Sequence, residues 1–162
     1  MQVKHEAQYQ ASPARVCEVL LSEELAQKRA AALGVTDYFF ERKESGSLIQ
    51  TVTRVSMPAS VLPEQSRRML SNGLEVTVES SSRSGAAAET IDLAVQVKGA
   101  PVSAAATITL AESSGAIANT DALINVSFQV RVPFLGAAIE KKAAEQIPSI
   151  LANDAALVNS LL

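Results

Sequence analysis

The stretch from Asp121 to Leu162, DALINVSFQVRVPFLGAAIEKKAAEQIPSILANDAALVNSLL, decides the fold. In its first part Ala122, Ile124, Val126, Phe128, Val130 and Val132 share one parity, and Asn125, Ser127, Gln129 and Arg131 share the other. Such alternation gives a strand one apolar and one wet face, as in an antiparallel sheet covered on a single side. Pro133 has no N–H to donate to a ladder, and its fixed φ suits the first turn of a helix. Read at about 100° per residue, Leu135, Ile139, Ala143, Ile147, Ile150, Leu151, Leu157, Val158 and Leu161 then fall in one broad stripe. A stripe of this kind needs an apolar surface to rest on, and the sheet supplies it. Pro148 projects from the far side of the stripe, so one bent helix is expected rather than two.

Upstream, Val3, His5, Ala7 and Tyr9 alternate with Lys4, Glu6 and Gln8, which predicts a first strand. Ser12-Pro13 reads as an N-cap with proline at the first helical position, opening a helix to about Leu21. Ser22-Glu23-Glu24 starts a second helix with its acids at the positive end of the dipole, and Gly34 closes it. Tyr38–Glu44 and Leu48–Met57 flank Ser45-Gly46 as a hairpin. Pro58 to Asn72 breaks the pattern and is expected to be a loop with one helical turn. Further strands are marked by Leu74, Val76 and Val78, by Ile91, Leu93, Val95 and Val97, by Ala106, Ile108 and Leu110, and by Ala118–Val132. Turns at Ser84-Gly85, Gly99-Ala100-Pro101 and Ser113-Ser114-Gly115 separate them. The order β-α-α-β-β-β-β-β-β-α predicts a single α+β domain over residues 1–162, a curved seven-stranded antiparallel sheet around a long C-terminal helix.

Composition narrows the function. The net charge is −3 and aromatic residues make up only 4% with no Trp, so neither a basic field for phosphate backbones nor base-stacking platforms are available. Nucleic acid is therefore not an expected partner. Cys17 is the single cysteine, which excludes an intrachain disulfide and a cysteine-rich metal site. Its neighbours Val16, Val19 and Leu20 predict a buried thiol. The N-terminus lacks the apolar core of a signal peptide, and the longest uncharged run, Gly99 to Ala111, is too short and polar to span a bilayer. A cytoplasmic protein without an integral membrane segment is expected.

The order of elements and the Val-Pro-Phe-Leu-Gly junction resemble the START-like, or birch-pollen-allergen, superfamily (SRPBCC), with its helix-grip fold. More narrowly the chain resembles an actinobacterial family of uncharacterised proteins within it. The residues that carry the resemblance are Ser12-Pro13 with Val16 and Leu20, Ala32-Leu33-Gly34, Met57-Pro58 through Pro63, and Arg131 to Gly136 followed by Ile139-Glu140-Lys141. Where such relatives often carry an aromatic residue, this chain has Glu79-Ser80-Ser81. The resemblance implies a hydrophobic molecule held between sheet and helix, and for a minority of members cyclase or dehydratase activity.

Candidate ligand-binding residues follow from the strand and helix faces. Small residues at Ala94, Ala104–Ala106, Gly136 and Ala143 either leave room for a ligand or let helix and sheet approach closely. Tyr38, Phe40, Phe128 and Ile139 are candidate lining residues whose alternative is core packing. Asp154 falls in the apolar helical stripe, an expensive place for a carboxylate unless it is hydrated or paired. It would fix a polar end of a ligand or sit at a wet rim, and the rim is the favoured expectation. His5 shares the inward parity of its strand, and would act as a base only if a partner held its tautomer. Arg42 and Arg54, on neighbouring strands, are expected on the solvated outer face, although inward-pointing they would bind a carboxylate.

No spacing of metal ligands, glycine-rich phosphate loop or nucleophile triad is present, so no metal, cofactor or catalytic residue is expected. The leading expectation is a small binding protein for a lipid- or polyketide-like hydrophobic or amphipathic molecule. The alternatives are a cyclase or dehydratase using His5 with Tyr38 or Asp154, and a protein-interaction module with a filled core.

Overall fold

The computed structural model describes residues 1–62, 64–84, 88–115 and 117–162. Strand β1 (Gln2–Tyr9) leads through helices α1 (Pro13–Leu20) and α2 (Glu23–Ala32) into strands β2 (Tyr38–Ser45) and β3 (Leu48–Met57). A 3-10 turn (Ala59–Val61) and the short helix α3 (Glu64–Arg67) then precede β4 (Leu74–Ser84), β5 (Glu89–Lys98), β6 (Val102–Glu112), β7 (Thr120–Val130) and helix α4 (Gly136–Asn159). The seven strands form one open antiparallel sheet in the order β1-β7-β6-β5-β4-β3-β2. This is a meander from β2 to β7, with β1 added beside the last strand. The α+β architecture is the one the pattern of elements predicts. The expected turns at Ser84-Gly85 and through Pro63 fall partly outside the described residues.

Capping chemistry sets the helix boundaries. The Ser12 and Ser22 hydroxyls accept the backbone N–H groups of Arg15 and Leu25 at 3.4 and 3.2 Å, ending two helices that would otherwise leave these donors orphaned. Gly34, at φ 73°, takes the left-handed position after α2, and its N–H donates to the Ala31 carbonyl. The hairpin between β2 and β3 turns through Gly46-Ser47, and Ser45 pairs with Leu48.

Strand parity holds along β1, β5 and β7. On β1 the exposed residues Lys4, Glu6 and Gln8 alternate with the inward Val3, His5 and Ala7. The densest packing lies at one end of the inner face. There Tyr9, Ile91, Ile108, Leu110, Ala122 and Ile124 of the sheet meet Val16, Cys17, Leu21 and Leu25 of the first two helices and Val158 of α4. Cys17 is buried, with its Sγ 3.3 Å from the Ser82 hydroxyl, as its apolar neighbours predict.

Helix α4 passes Pro148 as one helix, as expected, but departs from the sequence expectation at its start, which is Gly136 and not Pro133. Phe134 occupies the left-handed region at φ 64°, uncommon for a residue with a Cβ, and turns the chain between strand and helix. The helix packs on β1 and β7 and touches α1 and α2, so it covers one edge of the inner face and not its middle. The expected stripe is therefore only partly used. Leu135, Ile139 and Ile150 remain 57%, 40% and 59% exposed, while Val158 is fully buried. Both helix ends are tied to that edge. Glu140 accepts the Val130 N–H at 2.8 Å, and the Asn159 amide donates to the Gln8 carbonyl while its oxygen accepts the Gln10 N–H.

Candidate functional site

An apolar cleft of about 180 Å³ lies between α2 and the inner face of β2, β3 and β4. Ala26 and Ala30 of α2 and Leu33 just after it roof the cleft, and Phe40, Val55, Met57, Val76 and Val78 make its floor. Strand pairing sets the floor: Phe40 stands opposite Thr53, Thr53 opposite Val78, and Thr51 opposite Ser80. Residues directly opposite in an antiparallel ladder share a face, so Thr51, Thr53 and Ser80 line the same cleft. Ser80 lines the floor with a small side chain.

One charged side chain borders the cleft. Arg29 of α2 forms a bidentate pair with Asp154 of α4, with Nε–Oδ1 at 2.7 Å and Nη2–Oδ2 at 2.6 Å. Both partners are partly shielded, their side chains being 37% and 26% exposed. The fork geometry matches a carboxylate and holds α2 to α4 across the mouth of the inner face. Beside this pair sits Tyr9, 2% exposed. Burial pushes its hydroxyl up from 10.0 to about 12, the Asp154 charge adds to the rise, and Arg29 opposes it. At neutral pH Tyr9 is a neutral phenol.

The structure separates the residues nominated from sequence. Phe40 lines the cleft. Asp154 is partly exposed and paired, because Arg29 projects from the matching face of α2. Tyr38 is half-buried near the end of the sheet, and its hydroxyl donates to Glu23 at 3.3 Å. His5 is half-buried on β1 opposite Ile124, and Phe128 is 8% exposed on β7 opposite Ala104. Neither is near α2 in the sheet order. Gly136 serves close approach, since a Cβ there would collide with the Val130 carbonyl oxygen. Ile139 is exposed and Ala143 half-buried along α4. Ala94 and Ala105 lie exposed on the outer face and contribute no interior space. Of the groups named for an enzyme, His5 with Tyr38 or Asp154, Tyr38 bonds Glu23 and Asp154 bonds Arg29, and neither bonds His5 among the described residues.

Of the two strand arginines, Arg54 is on the outer face, its guanidinium 5.2 Å from the Phe39 ring. Arg42 points inward, contrary to expectation. It stands opposite the buried Thr51, and its Nη1 donates to the Leu21 carbonyl at the end of α1 while Nε donates to Glu44 at 2.8 Å. An orphan helix-terminal carbonyl draws a cation inward, which strand alternation alone does not reveal.

Arg29, Thr51, Thr53 and Ser80 were missed as site residues. For Arg29 a signal existed: it falls among Leu25, Ala26, Ala30 and Leu33 on the inner side of α2, an unpaired cation in one apolar stripe facing an unpaired anion in another. Among the described residues no cluster of three or more His, Cys, Asp or Glu could hold a metal ion, and no helix is long and apolar enough to cross a membrane.

Solved structures of the same fold include TTHA0849 from Thermus thermophilus, with a TM-score of 0.59 at 12% identity over 99% of each chain. An uncharacterized protein from Rhizobium leguminosarum aligns with a TM-score of 0.51 at 12% identity, over 99% of this chain and 95% of that one. Dicamba monooxygenase bound to dicamba aligns with a TM-score of 0.52 at 13% identity, over 99% of this chain but only 48% of the enzyme. At such identities the likeness shows fold and not activity. A comparison with curated proteins finds no match. The family model described as a protein of unknown function, DUF2505, matches residues 4–162, and the chain belongs to that family.

Proposed function

We propose that the protein is a cytoplasmic, START-like binding protein of the helix-grip kind that takes up a small hydrophobic or amphipathic molecule at its inner face. The observation that carries this reading is the apolar cleft of about 180 Å³ under α2, with hydroxyls and an ion pair at its edges. Apolar walls supply affinity by burial, at about 25 cal/mol per Å², and a few polar groups orient the ligand. Phe40 is a wall of this site, and Asp154 acts on it by holding Arg29. His5, Tyr38, Phe128, Ile139 and Ala143 would meet only a larger ligand extending along the inner face, and Gly136 would serve it by seating α4. The resemblance to the START-like superfamily and its actinobacterial members supports the same reading. So does the existence of a similarly folded protein whose structure holds dicamba.

The test is native mass spectrometry of protein purified without detergent, followed by organic extraction. An apolar adduct at one per chain is expected. A clean apo mass, with no lipid, polyketide-like or small aromatic compound raising the melting temperature, would sink it.

A second reading, a protein-interaction module, has a different observation behind it. Phe134, Leu135, Ile139 and Ile150 place large apolar side chains in solvent along α4 and its approach. A protein partner retained in the same mass spectrum, and lost on Phe134→Ser, is the result expected of that reading.

A further inference from the structure

We infer that the ligand of the cleft under α2 is uncharged and no larger than about one ring, with a single hydroxyl or carbonyl group; this rests on the binding function proposed above. Size is the first constraint. The cleft holds about 180 Å³, close to the roughly 150 Å³ of an engineered apolar cavity that accommodates benzene. A lipid chain or polyketide would have to extend out of its mouth, beyond the apolar walls that line it. Charge is the second. The one ionised side chain on its wall, Arg29, is already matched by Asp154 through Nε and Nη2, so the border is neutral as a pair. An anion would have to share Arg29 with a carboxylate, and like charges so close repel. A cation would lose hydration against apolar walls that offer no free anion.

Polarity is the third constraint. Thr51 and Ser80 stand opposite one another on β3 and β4, with Thr53 two residues along. Their hydroxyls make no side-chain hydrogen bond among the described residues. By contrast the Ser22 hydroxyl, on the same cleft, is fully engaged with Val19 and Leu25. Free hydroxyls both donate and accept, so they suit a neutral hydroxyl or carbonyl.

Phenol, benzoate and decanoate, titrated separately into the full-length chain and followed by amide chemical shifts, test each constraint. Phenol is expected to shift the amides around Thr51 and Ser80, and to bind at least about tenfold tighter than benzoate, the factor of one charge-assisted hydrogen bond that benzoate cannot gain. Ser80→Leu, which fills the floor, should abolish the phenol shifts. Thr51→Val, which keeps shape and removes a hydroxyl, should weaken phenol by about fivefold and leave benzene unchanged. Asp154→Asn should improve benzoate by about tenfold by freeing Arg29. Benzoate binding tighter than phenol to the unmodified protein overturns the charge assignment. Decanoate binding tighter than phenol overturns the size assignment. In either case the binding function stands. Silence of all three probes with a clean apo mass overturns both.

Discussion

The two ends of the sheet's inner face differ sharply. At one end α1, the start of α2 and the last turns of α4 converge, and Ile91, Leu110 and Val158 are 1%, 0% and 0% exposed. At the other end Val76, Val95, Val97, Val102 and Ala104 are also apolar yet only half-buried. Both ends are apolar, with larger side chains at the first; what differs most is the roof. Stability resides where three helices meet, and space for a ligand exists where α2 and α4 diverge. Burial of an apolar side chain stabilises in proportion to the water it excludes, so the same residue type should count for much at one end and little at the other.

Leu110→Ala at the closed end is the sharpest test of that difference. It should leave a cavity under α1 and destabilise by about 3–4 kcal/mol, read as a lower midpoint in urea with an unchanged slope. Val97→Ala at the open end should cost about 1 kcal/mol or less. Equal losses at the two sites would mean that the open end is covered in solution, and the comparison would collapse.

Tyr9 belongs to the closed end, on the side that meets the Arg29–Asp154 pair. Its hydroxyl is raised from 10.0 to about 12, first by burial and then by Asp154. A group whose folded value is raised keeps its contribution below the unfolded value and loses it as pH rises through the folded one. Stability should therefore fall between pH 10 and 12 by about 2–3 kcal/mol. Tyr9→Phe should remove that loss. An alkaline limb unchanged by Tyr9→Phe would place water beside this ring and move the boundary of the closed end.

The Arg29–Asp154 pair spans the gap where the helices part. Because both side chains are partly exposed, Asp154→Ala should cost only about 1–2 kcal/mol, less than a fully buried pair would. It should also raise amide exchange in the last turns of α2. Arg29→Met, which keeps the stem and drops the charge, separates packing from pairing. No change in exchange would mean that the pair does not hold the cleft's mouth.

Much of this division was legible in the sequence. Alternation through Ala122 to Val130 fixed the face of β7, and the serines before α1 and α2 fixed where those helices begin. What escaped depended on partners distant in sequence. β2 carries Tyr38, Phe39 and Phe40 in a row, so aromatic residues lie on both faces, and alternation could not orient Arg42. The α4 stripe was visible, but a stripe does not say which strands it covers. Both ends of α4 are pinned to β1 and β7 by polar side chains, Glu140 and Asn159, while Ile139 and Ile150 stay in solvent. Arg29 and Asp154 were each anomalous alone and are explained only together.

The smallest expected effect concerns the pin at the start of α4. Glu140 accepts the Val130 N–H at 2.8 Å and meets the N-terminal ammonium of Met1 at 3.4 Å. The backbone N–H bond, above all, holds its carboxyl below the usual carboxylate range, partial desolvation opposes this, and the ammonium adds to the lowering. A depressed folded value gives stability that is present above the unfolded value and is lost as pH falls through the folded one. The acid limb should thus begin just below pH 4.5 and extend lower. Glu140→Gln keeps an acceptor for Val130 but cannot ionise, so it should flatten that limb while barely changing neutral-pH stability. If α4 is free to swing over the open end, the pin matters more: Glu140→Ala would then increase burial of Ile139 and Ile150, measurable as slower amide exchange along the middle of the helix. Unchanged exchange would show that the packing of Val158 and Leu151 at the closed end alone sets the position of α4, and that the open end is held open by the core.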